Sequence, residues 1–170
     1  IYQIGDEKKP SWEESFAVQL EKELKEAEKN KEILPMLPDI KHYFESNMKI
    51  IENEKNPVIF HNDFQSQNII VKETDESKQN SKQHGSDGDL TIDGKDYEIS
   101  GLIDFDNWRI GPPAQDFIKM EYWTIGERTK WKEAFYKGYE RITPVTQEMK
   151  TGIDIYKCLW FILVFNFEKD

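Results

Sequence analysis

Cysteine is almost absent from this chain of 170 residues: Cys158 stands alone, so no disulfide framework can form. That suits a reducing, cytoplasmic setting, and Cys158 itself, inside an apolar run, is read as a core residue. Long hydrophobic runs are missing too. The longest, "CLWFILVF" from Cys158 to Phe165, is too short to span a bilayer and is read as a buried helix. Basic residues are in deficit, with 23 Lys and Arg against 33 Asp and Glu. The resulting net charge of −10 disfavours nucleic acid and anionic membranes, whose phosphates are held by Lys and Arg. It leans instead toward a cationic small molecule, or toward nothing more than an acidic, solvated surface. No GxGxxG, CxxC, HExxH or serine-elbow pattern is present.

What the chain does contain is a core. Five Trp and ten Phe argue for a packed globule of one domain over residues 1–170, although a third of the residues are charged. Ser11 followed by Glu14 is a capping-box start. Trp12, Phe16, Leu20, Leu24 and Ala27 then recur at steps of three and four, predicting an amphipathic helix of about five turns that Asn30 and the prolines of "LPMLP" end. A second helix is expected from Asp39 to about Asn53, with Ile40, Tyr43, Phe44, Met48 and Ile51 inward and His42 at the surface.

Pro57 precedes a strand "VIF", and "NIIVKE" reads as another. Residues 73–90 form a polar insertion, expected to be a mobile loop and to carry His84. Between 73 and 98 lie eight acidic and three basic side chains, half of the net charge. "LTIDGKDYEI" has Asp-Gly between alternating residues, the signature of a hairpin, and "YEISGLIDF" continues as a longer strand. From Asp116 the pattern is helical to the end. The fold class is α+β, mostly helical, with a small β-hairpin region that carries the chemistry.

That chemistry centres on "VIFHNDFQSQNIIV", Val58 to Val71. A plain turn would use Gly, Pro or Ser, whereas this one holds a histidine, an aspartate and several carboxamides. Asn68 opens the strand "IIV" and Asp104 closes the strand "ISGLI". If the two pair antiparallel, Asn68 and Asp104 meet at one end of the sheet, an amide oxygen and a carboxylate suited to Mg²⁺. Asp63, one loop earlier, then faces whatever the cation holds. A free carboxylate beside such a pair is what phosphoryl transfer asks for. The spacing His61-x-Asp63-x-x-x-x-Asn68 matches the kinase catalytic loop, in which the Asp is the base and the Asn holds metal.

"FHNDFQSQNIIV" and "ISGLIDFDNWRIGPPAQDF" resemble the two signature blocks of the aminoglycoside phosphotransferase family, protein-kinase-like small-molecule kinases that include choline, sugar and homoserine kinases. The resemblance covers residues 57 to 120 and implies the C-terminal lobe of a protein-kinase-like fold. It implies Asp63 as catalytic base, Asn68 and Asp104 as Mg²⁺ ligands that place the phosphates, and ATP or GTP as donor. Asp116 would accept hydrogen bonds from the catalytic-loop backbone, and His61 would orient that loop. Pro112 stands where many relatives have Asp.

Asp106 and Glu121 are the candidates to reach substrate, each weighed against a solvated or structural role. Trp123 is read as core rather than as a pocket wall. The expected acceptor is a small cationic molecule of the aminoglycoside kind, as in antibiotic resistance; an aminoalcohol such as choline or ethanolamine, or a sugar, is the alternative. Before Asn56 the only glycine is Gly5 and the region reads as helices, so the family's nucleotide-covering N-terminal lobe is not expected there. The chain, opening at Ile1, reads as a piece of a longer protein whose N-terminal lobe is the partner needed for ATP affinity. A non-catalytic kinase-like binding module and a Mg²⁺-dependent phosphoesterase are the rival readings.

Overall fold

The computed structural model describes residues 2–4, 7–9, 11–74, 90–92 and 95–167. The 73–90 insertion lies almost wholly outside these residues, and His84 with it. Helices dominate and the sheets are small and antiparallel, an α+β architecture. The chain divides into two compact units, one of residues 1–62, 108–118 and 146–170, the other of residues 63–107 and 119–145.

In the first unit, α1 runs from Trp12 to Ala27, and the Ser11 hydroxyl accepts the Glu14 N–H at 3.1 Å. The predicted stripe is buried at Trp12, Phe16, Leu20 and Ala27. The prolines do not end this helix. Pro35 sits in a 3-10 turn, Leu34–Met36, and Pro38 in the first turn of α2, Leu37–Glu52. A first-turn residue needs no N–H partner, so proline starts a helix there, two residues earlier than expected. Phe44 and Ile51 of α2 are buried, and His42 is exposed.

The last helix, α5 (Gln147–Phe167), closes the same core. Tyr156 lies between Trp12 and Phe16, with ring centroids 5.9 and 5.8 Å away, and its hydroxyl accepts the Trp12 indole N–H at 3.0 Å. Only one face of "CLWFILVF" is covered. Leu159 and Ile162 are buried, whereas Leu163 and Phe165 are exposed, so the expected buried helix is buried on one side. Among the described residues no helix is long and apolar enough to cross a membrane.

The first residues are not helical. Strands β1 (Tyr2–Ile4) and β2 (Glu7–Lys9) pair antiparallel. Three residues per strand are too few to leave a readable alternation, hence the missed hairpin. Strand β3 (Val58–Phe60) pairs antiparallel with β7 (Arg109–Gly111), Phe60 opposite Arg109. Gly111 is needed there: a Cβ would run into the Trp12 ring, 2.8 Å from Cε3, and sit 3.0 Å from Phe60 Cε1.

The second unit holds the sheet predicted from the hairpin signal. Strands β4 (Ile69–Glu73), β5 (Leu90–Ile92) and β6 (Lys95–Leu102) lie in the order β4-β6-β5, all antiparallel. Ile69 is opposite Leu102 and Ile70 opposite Gly101, with a bulge before Val71 meets Ile99. The Asp93-Gly94 turn lies outside the described residues, but Ile92 pairs with Lys95 on either side of it. A π-helical turn, Met120–Ile125, and helix α4 (Thr129–Glu140) complete the unit. It follows α3 (Gln115–Lys119), which starts at a turn where Gln115 N–H reaches the Pro112 carbonyl at 3.2 Å.

Candidate active site

The segment from His61 to Asn68 follows β3 and precedes β4. In the first unit, the Asp116 carboxylate accepts the His61 N–H through Oδ2 and the Asn62 N–H through Oδ1, both at 2.9 Å. This holds Asn62 at φ +66°, a left-handed conformation that asparagine tolerates better than most residues. Burial pushes the Asp116 carboxyl up; the two N–H donors and His61 pull it down, and burial wins, leaving it above the ordinary carboxylate value. His61 is buried.

Asp63 begins the second unit and is crowded with donors. Its Oδ1 accepts Lys119 Nζ at 2.6 Å and Gln65 Nε2 at 3.1 Å, and its Oδ2 accepts Asn68 Nδ2 at 2.9 Å. Burial pushes its carboxyl up, but the hydrogen bonds from Lys119, Asn68 and Gln65 and the Lys119 charge outweigh that, so it lies below the ordinary value. At pH 7 Asp63 is a carboxylate.

Asn68 is buried and sits in a 3-10 turn, Ser66–Asn68, whose first N–H is accepted by the Thr124 hydroxyl at 2.8 Å. Its Nδ2 also donates to the Asp63 carbonyl at 2.8 Å. Every hydrogen bond its side chain makes among the described residues uses Nδ2, so Oδ1 keeps its lone pairs. The Asn68 carbonyl accepts the Ile103 N–H at 3.0 Å, extending the β4–β6 ladder by one rung. Asp104 is the next residue. Its φ is +65°, it is exposed, and its carboxylate meets no donor among the described residues.

An amide oxygen and a carboxylate with lone pairs to offer, carried by neighbouring backbone, fit a hard cation such as Mg²⁺. The left-handed φ of Asp104, like that of Asn62, is one that Asp and Asn adopt more readily than other residues with a side chain. No group of three His, Cys, Asp or Glu side chains converges among the described residues. The Asn68–Asp104 pair is a smaller set of a different kind.

Asp106 lies in the exposed 3-10 turn Phe105–Asn107, two residues beyond Asp104. Glu121 is buried instead, accepting the Tyr136 hydroxyl and pairing with Lys132 at 3.3 Å. Trp123, expected in the core, is 58% exposed and packs its ring edge-on to Tyr122. The π-helical turn explains the exchange. Its wider winding shifts the phase of the helix, so Met120, Glu121 and Ile125 are buried and Trp123 is not. Lys119, Gln65 and Thr124 also belong to the site, and the sequence alone does not point to them. Lys119 lies 56 residues from Asp63, and no local pattern links them.

No curated protein and no solved structure matches the chain. Residues 87–150 match the model of the phosphotransferase enzyme family, a stretch that includes Asp104 and Asp116 and is consistent with the kinase-like phosphotransferases of the aminoglycoside kind.

Proposed function

We propose that this chain is the catalytic lobe of an ATP-dependent phosphotransferase that phosphorylates a hydroxyl of a small, cationic, aminoglycoside-like acceptor. One arrangement carries the reading. Asn68 gives both amide hydrogens to Asp63 and keeps its amide oxygen for another ligand, one rung from Asp104. Asp63 and Asn68 thereby form a single hydrogen-bonded pair, and Asp104 follows the residue whose N–H the Asn68 carbonyl accepts.

In this reading Asp63 accepts the proton of the acceptor hydroxyl as that oxygen bonds to the γ-phosphorus and the bond to the ADP oxygen breaks. Asn68 and Asp104 would hold Mg²⁺, which neutralises charge on the phosphates when bound. Asp116 keeps the backbone just before Asp63 in its left-handed turn. The acidic composition favours an amino-bearing acceptor; choline, ethanolamine and sugars are the alternatives, as is GTP for ATP. The nucleotide-covering lobe would come from sequence outside these residues, so the 170 residues alone should turn over poorly.

The test is transfer of labelled γ-phosphate from ATP and Mg²⁺ by the full-length protein, across aminoglycosides, choline and sugars. Asp63→Ala and Asp104→Ala should each lower transfer by about 10²–10⁴-fold. The thermal midpoint should stay close to that of the parent in Asp104→Ala and fall in Asp63→Ala, where Lys119, Gln65 and Asn68 lose their acceptor. Near-normal turnover in both variants rejects the reading. A non-catalytic binding module would bind ligand and transfer nothing, with or without Asp63.

A further inference from the structure

Building on the phosphotransferase reading, we propose that Lys119 is a second catalytic residue, which pairs with Asp63 while the site is empty and turns its ammonium onto the transferring phosphoryl group when substrates bind. Lys119 Nζ lies 2.6 Å from Asp63 Oδ1. Asp63 is the one acceptor that Lys119 meets among the described residues. The same Oδ1 already receives Gln65 Nε2, so two donors fill that oxygen. A hydroxyl docks on that oxygen only if one donor leaves. Gln65 is two residues from Asp63 and tied to its loop, whereas Lys119 has a four-carbon stem and rotatable donors. The pair is not sealed, since the two side chains are 29% and 19% exposed.

Distance makes the phosphoryl group the natural destination. An attacking hydroxyl oxygen sits about 2.7 Å from its base, with the phosphorus about 3–3.5 Å beyond. An ammonium resting on Oδ1 is therefore one side-chain rotation from the equatorial phosphoryl oxygens. Charge spreads over those oxygens in the transition state, and a cation arriving there lowers the barrier. The proton goes from the hydroxyl to Asp63, the O–P bond forms and the bond to ADP breaks. Lys119 stays protonated throughout and only donates hydrogen bonds. A lysine that merely braced the loop would do none of this.

The two roles separate in the full-length protein through Lys119→Gln and Lys119→Arg. Lys119→Gln should lower kcat by about 10²-fold or more while the acceptor KM moves little, and Lys119→Arg should recover part of the loss. In the unreactive β,γ-imido analogue of ATP bound with Mg²⁺, the γ-phosphorus resonance should differ between parent and Lys119→Gln while the α-phosphorus resonance does not. A kcat equal to or above that of the parent, or identical γ-phosphorus resonances, overturns the proposal. If the parent transfers phosphate and Asp63→Asn does not, such a result removes Lys119 alone. A parent that transfers to no acceptor removes both readings.

Discussion

Both amide hydrogens of Asn68 end on Asp63, one on its main-chain oxygen at 2.8 Å and one on its carboxylate at 2.9 Å. The candidate base, half-buried, and a buried candidate metal ligand are thus a single hydrogen-bonded unit. Asn68→Ala should cost about 1–3 kcal/mol in urea unfolding, because two acceptors lose their donor. Asn68→Asp should cost more at neutral pH, since it sets a second carboxylate against the first. That excess should shrink as pH falls through the carboxylate range, and an excess constant with pH would contradict the geometry.

Asp116 gives a second prediction, with a sign. Its folded carboxyl lies above the unfolded value, so the stability it contributes is fully present below the unfolded value and is lost as pH rises through the folded one. The thermal midpoint of the parent relative to Asp116→Asn should therefore fall with rising pH across that window. Asp116→Ala should cost about 1–3 kcal/mol for each of the two N–H groups it abandons, and should impair transfer.

Gly111 is a packing test independent of function. Gly111→Ala drives a methyl into the Trp12 ring between α1 and β7. A loss of about 1–3 kcal/mol is expected in chemical or thermal unfolding. A neutral substitution would mean that Trp12 can move aside.

Cys158 should be sluggish. Burial raises its thiol above the ordinary value, so little thiolate exists at pH 7. A colorimetric disulfide reagent should label it more slowly in native than in unfolded protein at the same pH. Its contribution to stability is fully present below the unfolded thiol value and is lost as pH climbs through the folded one.

Much of the fold was open to reading because it rests on local rules. The Ser11 cap, the Trp12-Phe16-Leu20 stripe and the Asp-Gly hairpin each sit in a short window whose periodicity or turn chemistry leaves few choices. Where the structure departs from the reading, the cause is also local but faint. Strands β1 and β7 have three residues each, and the π-helical turn that exposes Trp123 shifts a helix by a fraction of a turn, which no composition records.

The amino-acid order by itself determined which residue types recur at kinase-like spacing, His61 to Asn68 and again around Asp104. It also determined that Asp104 closes a strand able to pair with the one Asn68 opens. Only tertiary structure decided the partners: Lys119 against Asp63, Asp116 under the His61 and Asn62 amides, Glu121 buried against Tyr136 rather than open to a ligand. Spacing along a chain reports what one segment can do. The hydrogen-bond partners of a buried carboxylate come from segments tens of residues away, brought there by packing that no short window encodes.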